Sequence, residues 1–250
     1  YKIQKSTEKK GISMDSHCLL SCDCPKVIYM KKIIIDDGFQ DYLVDEAKFE
    51  GKDGIPCLLQ TKRVIPTSLI SFSKAKTVKE KRGYLHFYIH DCKYGNILTN
   101  TKKYDELISQ FDGIITPDPT ITIGMPHCIQ AASTYFNRAI GYYEQCRGVP
   151  VIPNVRWGDS STYDFCFLGI PKHSVVAIST HGAIAKNKAN NNLLRSIFKE
   201  GLRKMLEALE PTDVIVYGRM PPDIFNEFEG LTRFHRYPSE FEMTHMKGVK

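Results

Sequence analysis

From residue 84 onward the chain alternates short, uniformly apolar runs with longer amphipathic stretches. Residues 84–89 (YLHFYI) predict a buried strand ending at His90-Asp91, and a polar helix is expected near 102–111. Residues 113–116 (GIIT) predict the next strand, which ends at Pro117-Asp118. A helix then opens at Pro126, a residue suited to a first turn, and runs to about Cys146, with Gly148 placed as a C-terminal cap. Strands are expected at 151–157 (VIPNVRW), ending at Gly158-Asp159, at 175–178 (VVAI), ending at Thr180-His181-Gly182, and at 214–217 (VIVY), ending at Gly218. Between the last two lies the clearest helix, 192–209. Leu194, Ile197, Phe198, Leu202, Met205, Leu206 and Leu209 form its single apolar stripe, and Pro211 stops it.

Strand and helix in regular alternation imply right-handed parallel crossovers, and strands this uniformly apolar imply cover on both faces. The expected fold is α/β with a mainly parallel sheet, either an irregular or incomplete barrel or an open doubly wound sheet. Polar residues or Gly at five successive strand ends favour the barrel. Before residue 84 the pattern is weaker. Residues 27–73 carry short apolar stretches broken by Gly and Pro, and 1–26 are polar and cysteine-bearing. The expected organisation is an N-terminal segment, 1–54, and one α/β domain, 55–250. No uncharged apolar run approaches the roughly 18 residues of a membrane helix, and the first residues lack the apolar core of a secretory signal. A soluble, cytoplasmic protein with no membrane partner is therefore expected.

In parallel α/β folds, ligands bind at the carboxyl ends of the strands. That rule selects Asp91, Asp118 and Asp159, together with His181 in its Gly-bearing turn. Three carboxylates converging on one rim could hold Mg2+ or Mn2+, or divide acid and base roles between them. Each could equally be a helix N-cap or turn former. Arg138, in the 126–146 helix, is a candidate phosphate clamp or a surface salt-bridge partner, and Gly141 predicts close packing at that point of the helix. Trp157 could stack on a base or fill the core. His86, on a buried strand, reads as a hydrogen-bonded core residue.

The net charge of +6 is concentrated early, chiefly in Lys74, Lys76, Lys79, Lys81 and Arg82, set against Glu80. Such a run is a candidate nucleic-acid contact, or simply a solvated loop. Of the eight cysteines, Cys18, Cys22 and Cys24 stand beside His17. Thiolates with an imidazole can complete a zinc site, although this spacing lacks the usual two-residue knuckle. The scattered Cys57, Cys92, Cys128, Cys146 and Cys166 are expected in the core. The Gly-rich phosphate loop and the dinucleotide-binding fingerprint are both missing from the sequence, as are the Gly-x-Ser-x-Gly and His-Glu-x-x-His motifs.

Taken as an ordered set, several segments resemble the domain of unknown function 4417 family over about residues 55–240. They are His86 to Asp91, Pro117-Asp118, Met125-Pro126, Arg138-x2-Gly141-x-Tyr143-x-Gln145, Val151-Ile152-Pro153-x-Val155-x-Trp157-x-Asp159, Phe165-x-Phe167-x-Gly169-Ile170-Pro171, Val176-x-Ile178-Ser179 and Val214 to Gly218. The resemblance implies one domain in a bacterial, phage or mobile-element setting, and no mechanism. This chain has His90-Asp91 where members of that family often carry two consecutive Asp.

Three functions stay open at this point. One is a hydrolase or transferase acting on nucleic acid or a nucleotide, with Asp91, Asp118 and Asp159 at its centre and Arg138 and His181 assisting. The second is a non-catalytic nucleic-acid-binding protein using the Lys74–Arg82 run, Trp157 and a zinc-held N-terminus. The third is an adaptor that binds a host protein.

Overall fold

The computed structural model describes residues 40–181 and 188–247. The Cys18, Cys22, Cys24 and His17 group therefore lies outside the described residues. A short hairpin, β1 (Phe49–Glu50) with β2 (Ile55–Pro56), precedes the main architecture. Four parallel strands follow in one sheet, β3 (Leu69–Ser71), β4 (Tyr84–His86), β5 (Gly113–Ile115) and β6 (Val151–Ile152). Three more form a second parallel sheet, β7 (Val175–Ser179), β8 (Asp213–Tyr217) and β9 (Arg233–Tyr237). A parallel bridge between Asn154 and Ala177 joins the two sheets.

The strands succeed one another in chain order, without the reversal that defines a doubly wound sheet. The sheet does not close into a barrel, but it curls. Leu69 on β3 and Tyr237 on β9 pack in one cluster with Tyr84, Ile115, Ile152, Ala177 and Ile215. The Tyr237 hydroxyl donates to the carbonyl of Pro66, just before β3. This is the arrangement of an incomplete barrel whose interior takes every second side chain of each strand.

Helices cover the outer face. Leu85, Phe87, Ile114 and Val151 pack on the segment holding α1 (Gly95–Thr99) and α2 (Asp105–Ile108), through Tyr94, Ile97, Tyr104 and Ile108. The polar helix expected over 102–111 is broken into a 3-10 turn, Thr101–Tyr104, and the single turn of α2. The long helix α3 (His127–Cys146) packs on β5 and β6 through Gly141. A Cβ there would meet Thr116 Cγ2 at 2.6 Å, which accounts for the expected close approach. Helix α4 (Lys188–Leu209) lays Phe198, Leu202, Met205 and Leu209 against Val176, Ile178, Val214 and Val216. The remaining helices are α5 (Pro222–Phe225) and α6 (Glu240–Lys247).

Leu43, Val44 and Ala47 are buried against Ala139, Ile140 and Tyr142 of α3, so residues ahead of the expected boundary at 54 share the domain's core. Of the cysteines expected inside, Cys166 is buried, while Cys92, Cys128 and Cys146 are exposed. Among the described residues, no helix is long and apolar enough to cross a membrane.

Candidate functional site

The carboxyl end of β5 is held by a buried polar network built from α3 and the chain after β6. The Thr116 hydroxyl donates to Asn137 Oδ1 at 2.9 Å and accepts the Asn154 N–H at 2.8 Å. Asn137 Nδ2 donates to the carbonyls of Pro117 and Asn154, at 2.6 and 3.1 Å. Buried polar groups are favourable only when satisfied in this way, and a satisfied network fixes one geometry. The geometry it fixes here is that of Asp118.

Asp118 is buried, with Oδ1 accepting from Asn154 Nδ2 at 2.7 Å and Oδ2 from Arg156 at 2.6 Å. Burial pushes its carboxyl above the ordinary carboxylate range, and the Arg156 guanidinium and the Asn154 bond act against that rise. The same pair raises Arg156, whose cationic form the Asp118 charge stabilises. Behind the pair, the Tyr88 hydroxyl donates to Asn154 Oδ1 at 3.0 Å. Tyr88 stacks on His86 and on Tyr217 across the sheet interior, with ring centroids 5.4 and 4.9 Å apart. Burial lowers His86 to about 3, so its ring is neutral and it stands as a core residue.

A cavity of about 260 Å3 opens between the chain following β6, the end of β7, the 118–123 loop and α4. Asp118, Thr122, Arg156, Ser179 and His181 supply its polar lining, and its apolar walls include Ile121, Val155, Trp157, Ile178, Ile197 and Phe198. Trp157 packs on Phe198 with centroids 5.1 Å apart. It is seated there by Gly201 of α4, where a Cβ would run into the indole. An apolar cavity with a few convergent polar groups is the usual form of a small-molecule site.

The structure brings together Asp118, His181 and Trp157 from the expected set. Asp91 lies close enough for its charge to bear on Asp118, yet its carboxylate ties a loop. It accepts from the Thr120 N–H and hydroxyl at 3.0 and 2.9 Å and from the Tyr94 hydroxyl at 3.1 Å. Asp159 does not converge on the rim pair. Its Oδ1 caps a 3-10 turn, accepting the Ser161 N–H at 3.1 Å and hydroxyl at 2.6 Å. Among the described residues, no group of three His, Cys, Asp or Glu side chains is placed to hold a metal ion.

Arg138 is fully buried, and its donors go to the carbonyls of Leu168, Asn154 and Cys166 and to Asn137 Oδ1. It braces the network from outside the cavity, where neither a free phosphate clamp nor a surface ion pair fits. In the basic run, Lys74 pairs with Glu240 at 2.9 Å and Lys81 donates to the Ala75 carbonyl at 2.7 Å. Arg82 lies 3.8 Å from Glu80, and Lys76 and Lys79 stand exposed.

Arg156, Asn154 and Tyr88 are the site residues that strand-end reasoning passes over. Their signal is period two: Asn154 and Arg156 are polar at alternate positions of an otherwise apolar strand, so they face the sheet interior together.

Comparison with known proteins places the chain beside phage proteins. Over 138 residues it is 33% identical to the Gene 1 protein of Mycobacterium phage L5, a stretch covering 55% of this chain and 58% of that protein. It is 30% identical to the Gene 1 protein of Mycobacterium phage D29 over the same length, covering 49% of that protein. The chain thus spans about half the length of the curated relatives it matches. No solved structure matches it. The model of the domain of unknown function DUF4417 matches residues 47–238, and the chain belongs to that family.

Proposed function

We propose that the protein is an enzyme acting on a nucleotide or on nucleic acid, a hydrolase or transferase whose active pocket is the cavity at the carboxyl rim of the curled sheet. The observation that carries this reading is the Asp118–Arg156 pair on the wall of an aromatic-lined cavity. A buried carboxyl whose proton affinity is raised is suited to proton transfer. Arg156 keeps that carboxyl in place while offering its remaining N–H donors to a ligand. His181, exposed and lining the same cavity, is the second proton-transfer group. Trp157 and Phe198 give a planar ring an apolar face to lie against.

The test is to incubate the protein with a mixture of nucleotides and short single-stranded oligonucleotides and to read cleaved or transferred products by mass spectrometry. The expected result is product from the wild-type protein and at least a hundredfold less from Asp118→Asn. Equal product from the two proteins, or none from wild type, would sink the reading.

A further inference from the structure

Resting on that reading of the rim cavity, we propose that its ligand is recognised by the edge of an uncharged nucleobase, with the phosphate left outside. Asp118 and Arg156 are hydrogen-bonded to each other at 2.6 Å, and their side chains are 8% and 35% exposed. As a pair they carry no net charge. Arg156 is the one Lys or Arg among the described residues lining the cavity, and the Asp91 charge also bears on the pair. A phosphate entering here would have to draw Arg156 away from its carboxylate and then sit beside two acidic groups. Both steps are unfavourable in a pocket walled largely by apolar side chains.

An uncharged ring needs no such exchange. A carboxylate is an acceptor only and a guanidinium a donor only, so the pair presents an acceptor and a donor side by side. The hydrogen-bonding edge of a nucleobase offers the complementary arrangement: a ring or exocyclic N–H for Asp118, and a carbonyl oxygen or ring nitrogen for Arg156. Beside Ser179 and His181, the remaining walls are mainly apolar, through Ile121, Ile123, Val155, Trp157 and Phe198. A pocket that takes a base out of its stack reads it in the same manner, by its edge and its faces. A free nucleoside and a base turned out of a strand share this chemistry.

The experiment is calorimetric titration of the whole chain with the four nucleosides, their 5′-monophosphates, ribose 5-phosphate and inorganic phosphate. At least one nucleoside is expected to bind within about threefold of its own monophosphate, with ribose 5-phosphate and inorganic phosphate silent. Methylating the edge nitrogen of that base should weaken binding at least tenfold, as should Arg156→Gln in a protein whose circular dichroism is unchanged. Titrating an unpaired strand against the free nucleoside separates the two sources of the base.

Binding of ribose 5-phosphate as tight as that of the nucleotide would overturn the inference, as would the failure of all four nucleosides to bind. The two proposals fail separately. Turnover with affinity carried by phosphate removes only the inference, and base binding without turnover removes only the enzyme.

Discussion

Two aspartates stand at opposite ends of the curled sheet's interior, and the chain treats them in opposite ways. Asp213, at the start of β8, has no exposed surface and is met by two arginines and a histidine. Arg63 holds it with two hydrogen bonds of 2.6 and 2.7 Å, a His235 ring nitrogen lies at 2.8 Å, and Arg233 approaches to 3.3 Å. The Arg63 bonds in particular keep its carboxyl well below the usual range. Asp118, at the other end, has one guanidinium and one amide, and burial wins, lifting its carboxyl. The same residue type is a lock at the amino end of the strands and a poised group at the carboxyl end. This matches the division of labour in parallel barrels, where stability collects at one face and chemistry at the other.

The largest expected effect comes from breaking the lock. Asp213→Asn leaves Arg63, Arg233 and His235 around a neutral amide. It should cost about 2–3 kcal/mol in urea unfolding, less than a fully enclosed pair would, because Arg63 keeps about half and Arg233 more than half of its side-chain surface in water. The pH dependence sharpens this. A carboxyl depressed by folding contributes stability that is present above its unfolded pKa of about 3.9 and is lost as pH falls toward the folded value. Wild-type urea midpoints should therefore drop steeply below about pH 4, and those of Asp213→Asn should flatten there.

The network behind the poised group comes next. Asn154→Ala removes a donor to Asp118 and an acceptor for Tyr88. A loss of about 1–3 kcal/mol is expected from stranding two buried polar groups, and the same urea series reads it. The smallest effect is expected at Asp118 itself. Its raised carboxyl contributes stability at low pH that is lost as pH rises, so Asp118→Asn should lie within about 1 kcal/mol of wild type at pH 7. Relative to wild type, the variant should gain as pH climbs above the ordinary carboxylate value of about 3.9. A steep loss in its place would make Asp118 a second lock and dissolve the contrast.

Much of this architecture is legible in the residues. Uniformly apolar runs mark β4, β5, β7 and β8, and the Leu194–Leu209 stripe marks α4, because burial on both faces writes itself as hydrophobicity. β9 escapes because Arg233, His235 and Arg236 make it read as a loop. It lies at the end of its sheet and is half exposed, so solvent, Asp213 and Glu242 meet those polar side chains.

The site was legible only in part. The strand-end rule finds Asp118, but it locates the end of a strand and says nothing of where a side chain turns. Asp91 and Asp159 turn to Thr120 and Ser161. Arg138 is harder still. The carbonyls of Cys166 and Leu168 that hold it carry no sequence signal, and they arrive from 28 and 30 residues away. Arg156 was hidden in plain view, a cation inside an apolar run, where polarity at alternate positions marks an interior that is not filled with hydrocarbon alone.

The contrast between the two ends is tested most directly by titrating Asp118→Asn and Asp213→Asn with the tightest-binding nucleoside, alongside their unfolding midpoints at pH 7. The account predicts that Asp118→Asn keeps its stability and loses at least tenfold in affinity, and that Asp213→Asn loses stability and binds within about twofold of wild type. Undiminished binding by Asp118→Asn, or lost binding by a folded Asp213→Asn, would contradict it.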